Sequence, residues 1–408
     1  MSQKSTKIAR TVFILLGIAI VIIGIPWASG VTFLHVNGAD PALAGPFSII
    51  EYWKLYAHSS EKFVRVSVQL CAIGPWALLA GFIGWAVIAK QNRPLHGAAR
   101  FANTAEIRKA GLLDPKGGLD KTILVGKKNG RYLTYGGYQF VILAAPTRSG
   151  KGVGIVVPNC LNYSDSLVVL DIKGENFDIT SGFRAKHGQK VYLFAPFDEA
   201  GVTHRYNPLE YISDDPAQRL GDIDAIGTAL YSGGNQNDKF WSENAKDLFR
   251  GLCLFVLERK DLPKTFGEIL RQASGKGKPL KEYIFEELKK AQDTGHPFSN
   301  ACIDCLNRVL SNSENTLAGI VATFGTPLLI FQNPRLATSA NDFDLREVRR
   351  ELMSIYFKMP PNKLKEGSVL VNLFFDQLLN LNTRVLPSQD KTLKHQCLVL
   401  LDEMTSIG

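Results

Sequence analysis

Residues 145–152, Ala-Pro-Thr-Arg-Ser-Gly-Lys-Gly, form a run of small residues around one lysine, Lys151. Small residues let a backbone fold closely around a ligand, and successive N–H groups in such a turn solvate phosphate oxygens. The run lies between an apolar segment, 139–145, that predicts a buried strand and a segment, 152–162, that predicts a helix. We therefore predict a nucleotide-binding loop, with Lys151 bridging the β- and γ-phosphates. The predicted nucleotide contacts are Pro146, Thr147, Arg148, Ser149, Gly150, Lys151, Gly152 and Val153.

Two positions depart from the general pattern of such loops. The pattern has Gly where Ala145 stands and Ser or Thr where Gly152 stands, and that hydroxyl normally binds magnesium. Without it, the metal needs water and a carboxylate elsewhere, or Ser149 or Thr147 in a shifted geometry. The alternative interpretation is an accidental Gly-Lys pair in an ordinary turn.

A second candidate element lies at the end of the sequence. The apolar run 397–401 predicts a strand, and Asp402 and Glu403 follow it directly. Two carboxylates at this end of a strand suit an aspartate that holds Mg²⁺, through water, and a glutamate that polarises the attacking water. We therefore predict Lys151, Asp402 and Glu403 as catalytic residues, Asp402 as the metal residue, and ATP and Mg²⁺ as cofactors. The alternative for Asp402 and Glu403 is a surface turn.

Another predicted buried strand, 166–172, ends at a polar turn. Asp171 and Glu175 of this turn are further candidates for a place near the nucleotide or at a subunit boundary. The alternative is an ordinary turn at the end of a strand.

Two apolar segments, 11–29 and 66–89, are long enough to cross a membrane as helices. Lys and Arg lie before the first and after the second, so the positive-inside rule places both termini in the cytoplasm. Residues 30–65 then form an external loop. The alternative makes the first segment a cleaved signal peptide. The net charge of +9 is typical of basic residues that set membrane topology, and it also fits contact with nucleic acid or anionic lipid.

The remaining sequence predicts an α/β nucleotide-binding domain interrupted by helices. We expect a membrane anchor at 1–94, a first part of the α/β domain at 95–215, an all-helical insertion at 216–336 and a second, incomplete part at 337–408. Cys302 and Cys305 form a C-x-x-C pair on a predicted helix. We predict that both are buried apolar residues, and the alternative is a metal or redox pair.

Six segments together resemble the TraG-type type IV coupling proteins. They are APTRSGKGVG at 145–154, VVLDIKGE at 168–175, FWSENAKDLF at 240–249, ATSANDFDL at 337–345, FFDQLLNLN at 374–382 and LLDEMTSIG at 400–408. In that family Lys followed by Gly is the usual form of the loop, so the resemblance makes Gly152 a family trait. It implies a P-loop, RecA/HerA-like fold and the roles given above to Lys151, Asp402 and Glu403.

The resemblance also implies a biological role. Such proteins are ATPases of the bacterial inner membrane, here multi-pass, that link the relaxase–DNA complex to a type IV secretion channel and drive single-stranded DNA transfer in conjugation. A homo-hexamer is expected. Family members continue well beyond the Asp-Glu strand, whereas this sequence stops six residues after Asp402. We therefore also keep a nucleotide-binding, non-hydrolysing receptor for secreted proteins and an FtsK-like DNA translocase as alternatives.

Overall fold

The computed structural model describes residues 20–89, 100–113, 121–137, 139–146, 148–231, 238–336 and 338–402. These fall into two units, residues 1–101 and residues 102–408.

The first unit is a small helical assembly. After a π-helical turn, Ile20–Gly24, come α1 (Ile25–Val36), α2 (Ser48–Tyr56) and α3 (Lys62–Ala89). Phe33, Ile49 and Val68, one from each helix, are buried together, which holds the three helices in contact. In α3, residues 62–86 are long and apolar enough to cross a membrane.

The predicted spans and external loop of this unit stay predictions, and the structure adds where the helices end. Of the first predicted span, residues 11–19 lie outside the described residues, and the helix continues past residue 29 to Val36. The predicted loop 30–65 therefore contains the end of α1 and the whole of α2. The helix extends because residues 31–36 remain apolar enough to bury Phe33 and Leu34.

The second unit begins with a short helix and a hairpin. Helix α4 (Thr104–Lys109) has a capping box, in which Asn103 and Glu106 each accept a hydrogen bond from the other's backbone N–H. Strands β1 (Ile123–Lys128) and β2 (Arg131–Tyr135) pair antiparallel. Asn129 and Gly130, with φ of 51° and 79°, make the tight turn between them, a geometry that these two residue types favour.

A four-stranded parallel sheet forms the centre of this unit. Its strands are β3 (Ser166–Asp171), β4 (Lys190–Phe194), β5 (Met353–Lys358) and β6 (Cys397–Leu401), in the order β4-β5-β3-β6. All six residues of β3 are buried, as expected for a strand between neighbours with helices on both faces. The helices of this α/β part are α5 (Val157–Asn162), α6 (Glu175–Lys186) and, later in the chain, α13 (Leu364–Thr383).

The predicted strand at 139–145 is wrong. This segment has no strand pairing, and the side chains of Phe140 and Ile142 are 99% and 85% exposed. Its apolar composition suits a strand, but a strand also needs a neighbour, and β6 remains at the edge of the described sheet.

Between β4 and β5 the chain forms the predicted helical block. Its helices are α7 (Pro216–Tyr231), α8 (Lys239–Glu258), α9 (Phe266–Ala273), α10 (Leu280–Asp293), α11 (Asn300–Leu310) and α12 (Glu314–Gly325). Helix α8 is the centre of this block, with nine buried residues between Ala245 and Val256. Cys302 and Cys305 are buried on α11, as predicted. The stretch 314–332 is also apolar enough for a membrane span, but Ile320, Phe324 and Leu328 are fully buried in this block.

Candidate functional site

The predicted phosphate loop is an open turn that leads into a helix. Arg148 and Gly150 have φ of 63° and 86°, so the backbone turns twice through the left-handed region. At Ser149 the N–H donates to the carbonyl of Pro146, at 3.2 Å. A π-helical turn, Gly152–Val156, follows Lys151 and continues into α5. Helix N-termini and such turns expose backbone N–H groups that bind anions.

Lys151 meets Asp402 at the carboxyl end of the sheet. Its Nζ lies 3.1 Å from Oδ1 of Asp402, and the side chains are 28% and 23% exposed. The carboxylate oxygen is shielded from solvent and accepts no other hydrogen bond within the described chain. The two residues are about 250 positions apart in sequence. The helical block between β4 and β5 accounts for much of this separation, so the structure brings together the loop and the strand end that the sequence singled out.

Asp171 stands beside Asp402, because β3 and β6 run in parallel with Leu170 opposite Leu401. The Asp171 carboxylate accepts hydrogen bonds from the N–H groups of Gly174 (3.0 Å) and Phe177 (2.8 Å), and from the side chain of Asn176 (3.3 Å). Burial raises the pKa of Asp171, and the charge of Asp402 adds to this, although these hydrogen bonds oppose it.

Through these hydrogen bonds the Asp171 carboxylate holds the start of α6 in place. Glu175 is exposed in the first turn of that helix. Both residues remain predictions as nucleotide contacts.

A buried asparagine fixes the helix that follows the loop. Asn159 on α5 accepts a hydrogen bond from the N–H of Leu124 (2.8 Å) and donates one to the carbonyl of Leu124 (2.9 Å). The side chain thus continues the edge of β1 as another strand would. Asn159 was not predicted from the sequence, although an Asn among the apolar residues of this helix was a usable signal.

A buried arginine fixes the other end of the same helix. Arg184 on α6 is 3% exposed, and its guanidinium donates to the carbonyls of Cys160, Tyr163 and Asp165 and to the hydroxyl of Ser354. Three of these bonds satisfy carbonyls at and just after the end of α5, where a helix leaves them without partners. Arg184 was also missed from sequence, where it looked like an ordinary helix residue.

The arrangement suits a nucleotide phosphate with Mg²⁺. A Cβ at Gly152 would meet no atom within 4 Å, so space is open beside the start of the helix. Magnesium commonly takes one or two carboxylates together with water and substrate phosphates, and Asp402 offers one. Val153 is 81% exposed in the same turn. Thr147 and Glu403 lie outside the described residues, so their predicted roles stay predictions.

Parallel strands, a glycine-containing turn at a helix N-terminus and a lysine paired with a strand-end aspartate define an α/β domain with a P-loop-like turn. A sequence profile for type IV secretory system conjugative DNA transfer matches residues 100–408. The chain belongs to this family.

Curated relatives include protein VirD4 of Agrobacterium fabrum, 29% identical over 390 residues that cover 93% of this chain and 56% of the relative. The conjugal transfer protein TraG of Escherichia coli is 27% identical over 400 residues, covering 89% and 62%. This chain thus spans a little over half the length of these relatives. Among solved structures, plasmid coupling protein TrwB with a non-hydrolysable ATP analogue aligns over 75% of this chain and 65% of its own, with a TM-score of 0.47 and 11% identity.

Proposed function

We propose that this chain binds ATP with Mg²⁺ at the site of Lys151 and Asp402 and uses its hydrolysis to drive single-stranded DNA transfer. The contact between these two residues carries the proposal, because it joins a phosphate-binding turn to a metal-binding carboxylate. Family membership supports it, and conjugative DNA transfer is the process for which the family is described.

Each group of the site has a definite task in this proposal. ATP supplies the phosphate-transfer free energy when bound. The Lys151 ammonium exchanges Asp402 for phosphate oxygens, while the N–H groups at the start of the helix solvate the same oxygens. Asp402, released from Lys151, would hold Mg²⁺, which would neutralise charge on the phosphates. Glu403 orients the attacking water, as its place after Asp402 predicts.

The cellular setting is part of the proposal. We infer a bacterial inner-membrane protein that spans the membrane twice, with both termini in the cytoplasm, and assembles as a hexamer. The long apolar helix α3 supports the membrane attachment. The partners are the relaxase–DNA complex and components of the type IV secretion channel. DNA contact in such a ring is mainly to phosphates, so binding is tolerant of sequence and sensitive to salt.

Nucleotide binding and turnover by the purified chain test the site. We expect ATP–Mg²⁺ to raise the melting temperature and single-stranded DNA to stimulate phosphate release. Lys151→Ala should abolish both effects, because the loop loses the cation that pairs with Asp402. Lys186→Ala is the matched control, since Lys186 is an exposed lysine at the C-terminal end of α6.

The outcomes separate the alternatives. Turnover that survives Lys151→Ala contradicts the assigned site. Thermal stabilisation by nucleotide without turnover, even with single-stranded DNA present, supports the non-hydrolysing receptor instead. Stimulation by double-stranded but not single-stranded DNA supports an FtsK-like translocase.

A further inference from the structure

Large apolar side chains are concentrated on the surface of residues 43–56 in the first unit. Leu43, Phe47, Ile50, Leu55 and Tyr56 are all exposed, the two leucines by 73% and 70%. We call these five residues the α2 patch, since they lie on α2 and just before it. Single exposed apolar residues are ordinary on a protein surface, but a concentration of this kind marks an interaction site.

The patch lies beside a polar ridge on α2. Consecutive helix residues are about 100° apart around the axis, so Ile50 and Leu55 lie on opposite flanks of α2, about 140° apart. The exposed residues Glu51 and Lys54 lie between them. The opposite side of the helix, which includes Ile49, is buried against α1 and α3. Helix α2 thus has a packed base, two apolar flanks and a polar ridge.

The contacts of α2 with α1 lie where the first apolar segment, 11–29, ends. The carbonyl of Ala44 accepts a hydrogen bond from Nε1 of Trp27, at 3.1 Å. A Cβ at Gly30 would overlap Oγ of Ser48, so the first residue of α2 packs directly on the backbone of α1. Helix α1 continues beyond this level. The chain therefore turns back after α1 and begins α2 beside the end of the apolar segment.

The contacts of α2 with α3 lie where the second apolar segment, 66–89, begins. Ile49 is buried in one cluster with Val68, the third residue of that segment. Lys62 and Arg65 precede the segment, whose 24 residues include no Lys, Arg, Asp or Glu. As a helix they extend about 36 Å, and the hydrocarbon core of a bilayer is about 30 Å thick. Helix α2 therefore lies near one boundary of that core.

Helix α3 exposes apolar side chains at the same level. Phe63 and Leu70, on the two sides of Val68 in the sequence, are 65% and 66% exposed. Trp27 and Tyr56 are exposed as well, and Trp and Tyr are enriched where a membrane meets water. Apolar flanks, a polar ridge and aromatic rings at this level are typical of a helix that lies in the membrane surface.

We propose that α2 lies in the external surface of the membrane, with the α2 patch among the lipid acyl chains and with Glu51 and Lys54 among the headgroups. This inference rests on the membrane attachment and topology that the proposed function includes. The partner is the lipid bilayer, because α2 contacts both apolar segments at the ends that the topology places outside. A helix that is packed against both segments and held in the surface fixes their depth in the bilayer.

Photolabelling of the full chain in nanodiscs of phosphatidylcholine and phosphatidylglycerol tests the proposal. An apolar diazirine dissolves in the bilayer and, when illuminated, inserts into nearby side chains, which mass spectrometry locates. We expect Leu43 and Leu55 to be labelled as strongly as Leu70 of α3. Labelling of Leu329 in the helical block should be about tenfold weaker, because an apolar reagent the size of a leucine side chain favours lipid over water by at least this factor. Leu329 is the matched control, since it is 55% exposed.

Reagents dissolved in water give the complementary measurement. Hydroxyl radicals should oxidise Leu329 but not Leu43 or Leu55, whereas Lys54 on the polar ridge should still be acetylated by a water-soluble ester. Oxidation of the α2 patch at the rate of Leu329 overturns the proposal. Absence of both the lipid label and oxidation from the patch overturns it too, and shows that a protein covers the patch.

The same experiment separates this inference from the proposed function. Strong labelling of Leu70 with weak labelling of the α2 patch overturns this inference alone. Weak labelling of both contradicts the membrane attachment itself. Lys151→Ala should leave the labelling unchanged, so loss of ATP hydrolysis is a separate failure.

Discussion

The Asn159 side chain bonds to the backbone of Leu124 as a neighbouring β-strand would. Its amide accepts a hydrogen bond from the N–H of Leu124, at 2.8 Å, and donates one to the carbonyl of Leu124, at 2.9 Å. A third bond runs from the same amide to the carbonyl of Ile155, at 2.8 Å. Asn159 is 2% exposed, so these bonds form away from water. The attachment of this helix to the β1–β2 hairpin therefore depends on one polar side chain.

Asn159→Leu should lower the free energy of unfolding by about 1–3 kcal/mol, because the buried N–H and C=O of Leu124 lose their partner. Urea unfolding of the purified chain measures this. Asn307→Leu, at an exposed position of α11, is the control and should stay within about 0.5 kcal/mol of the wild type. Equal effects of the two substitutions would contradict the assigned role of Asn159.

The ion pair between Lys151 and Asp402 should show energetic coupling when no nucleotide is present. A double-mutant cycle with Lys151→Met and Asp402→Asn isolates this term, and we expect about 1–2 kcal/mol, within the range for partners in direct contact. Both side chains are more than two-thirds shielded from solvent, so screening by water is limited. The measurement is urea unfolding in a chelator. Additive effects of the two substitutions would show that the 3.1 Å contact contributes nothing.

Asp165 should make stability depend on acid pH. Burial alone raises the pKa of its carboxyl group, but hydrogen bonds from the N–H of Gln396 and from Lys121 outweigh this and hold the pKa below its ordinary value of 3.8. The folded state therefore favours the carboxylate, and its contribution is complete above pH 3.8 and is lost as the pH falls through the lower folded value.

The difference in unfolding free energy between the wild type and Asp165→Asn should thus be largest near neutral pH and narrow below pH 3.8. Chemical unfolding across this pH range measures it. Parallel pH profiles for the two proteins would contradict the assigned interactions of Asp165.

Two helical glycines should respond in opposite ways to a larger side chain. Gly152→Ala adds a Cβ that meets no atom within 4 Å, so the variant should be as stable as the wild type or gain about 0.5–1 kcal/mol. At Gly251 in α8, a Cβ would lie 2.9 Å from Cδ2 and 3.2 Å from the backbone nitrogen of Leu306. Gly251→Ala should therefore cost about 1–3 kcal/mol. Thermal and urea unfolding of both variants give the comparison, and equal stabilities would contradict it.

The sequence predicted well those elements whose pattern is local. The apolar run before Asp402 became β6 with the predicted bounds, and the predicted strand 166–172 became a fully buried strand that ends at Asp171. In both runs the apolar residues indicate a buried strand, and the polar residues that follow indicate its carboxyl end. Asp402 lies at the carboxyl end of the sheet because β6 runs parallel to β3.

The sequence predicted poorly what depends on distant neighbours. The segment before the phosphate loop is as apolar as β3, yet Phe140 is 99% exposed, because composition specifies a strand only when a partner is present. Nothing in the local sequence marks Arg184, which tertiary contacts bury against carbonyl groups. A short stretch of sequence shows neither whether residues 139–145 have a strand to pair with nor which carbonyl groups Arg184 contacts.

In the described chain, regular secondary structure supports the phosphate loop on one side only, and the ion pair of Lys151 with Asp402 ties it to the sheet. The residues before it form no strand pairing, whereas the helix after it is fixed by Asn159 and Arg184. A displacement of the β1–β2 hairpin would therefore reach the loop through this helix, as well as through residues 136–146, which join β2 to the loop. The hairpin and the nucleotide site are thus structurally coupled. A displacement of either one is transmitted to the other.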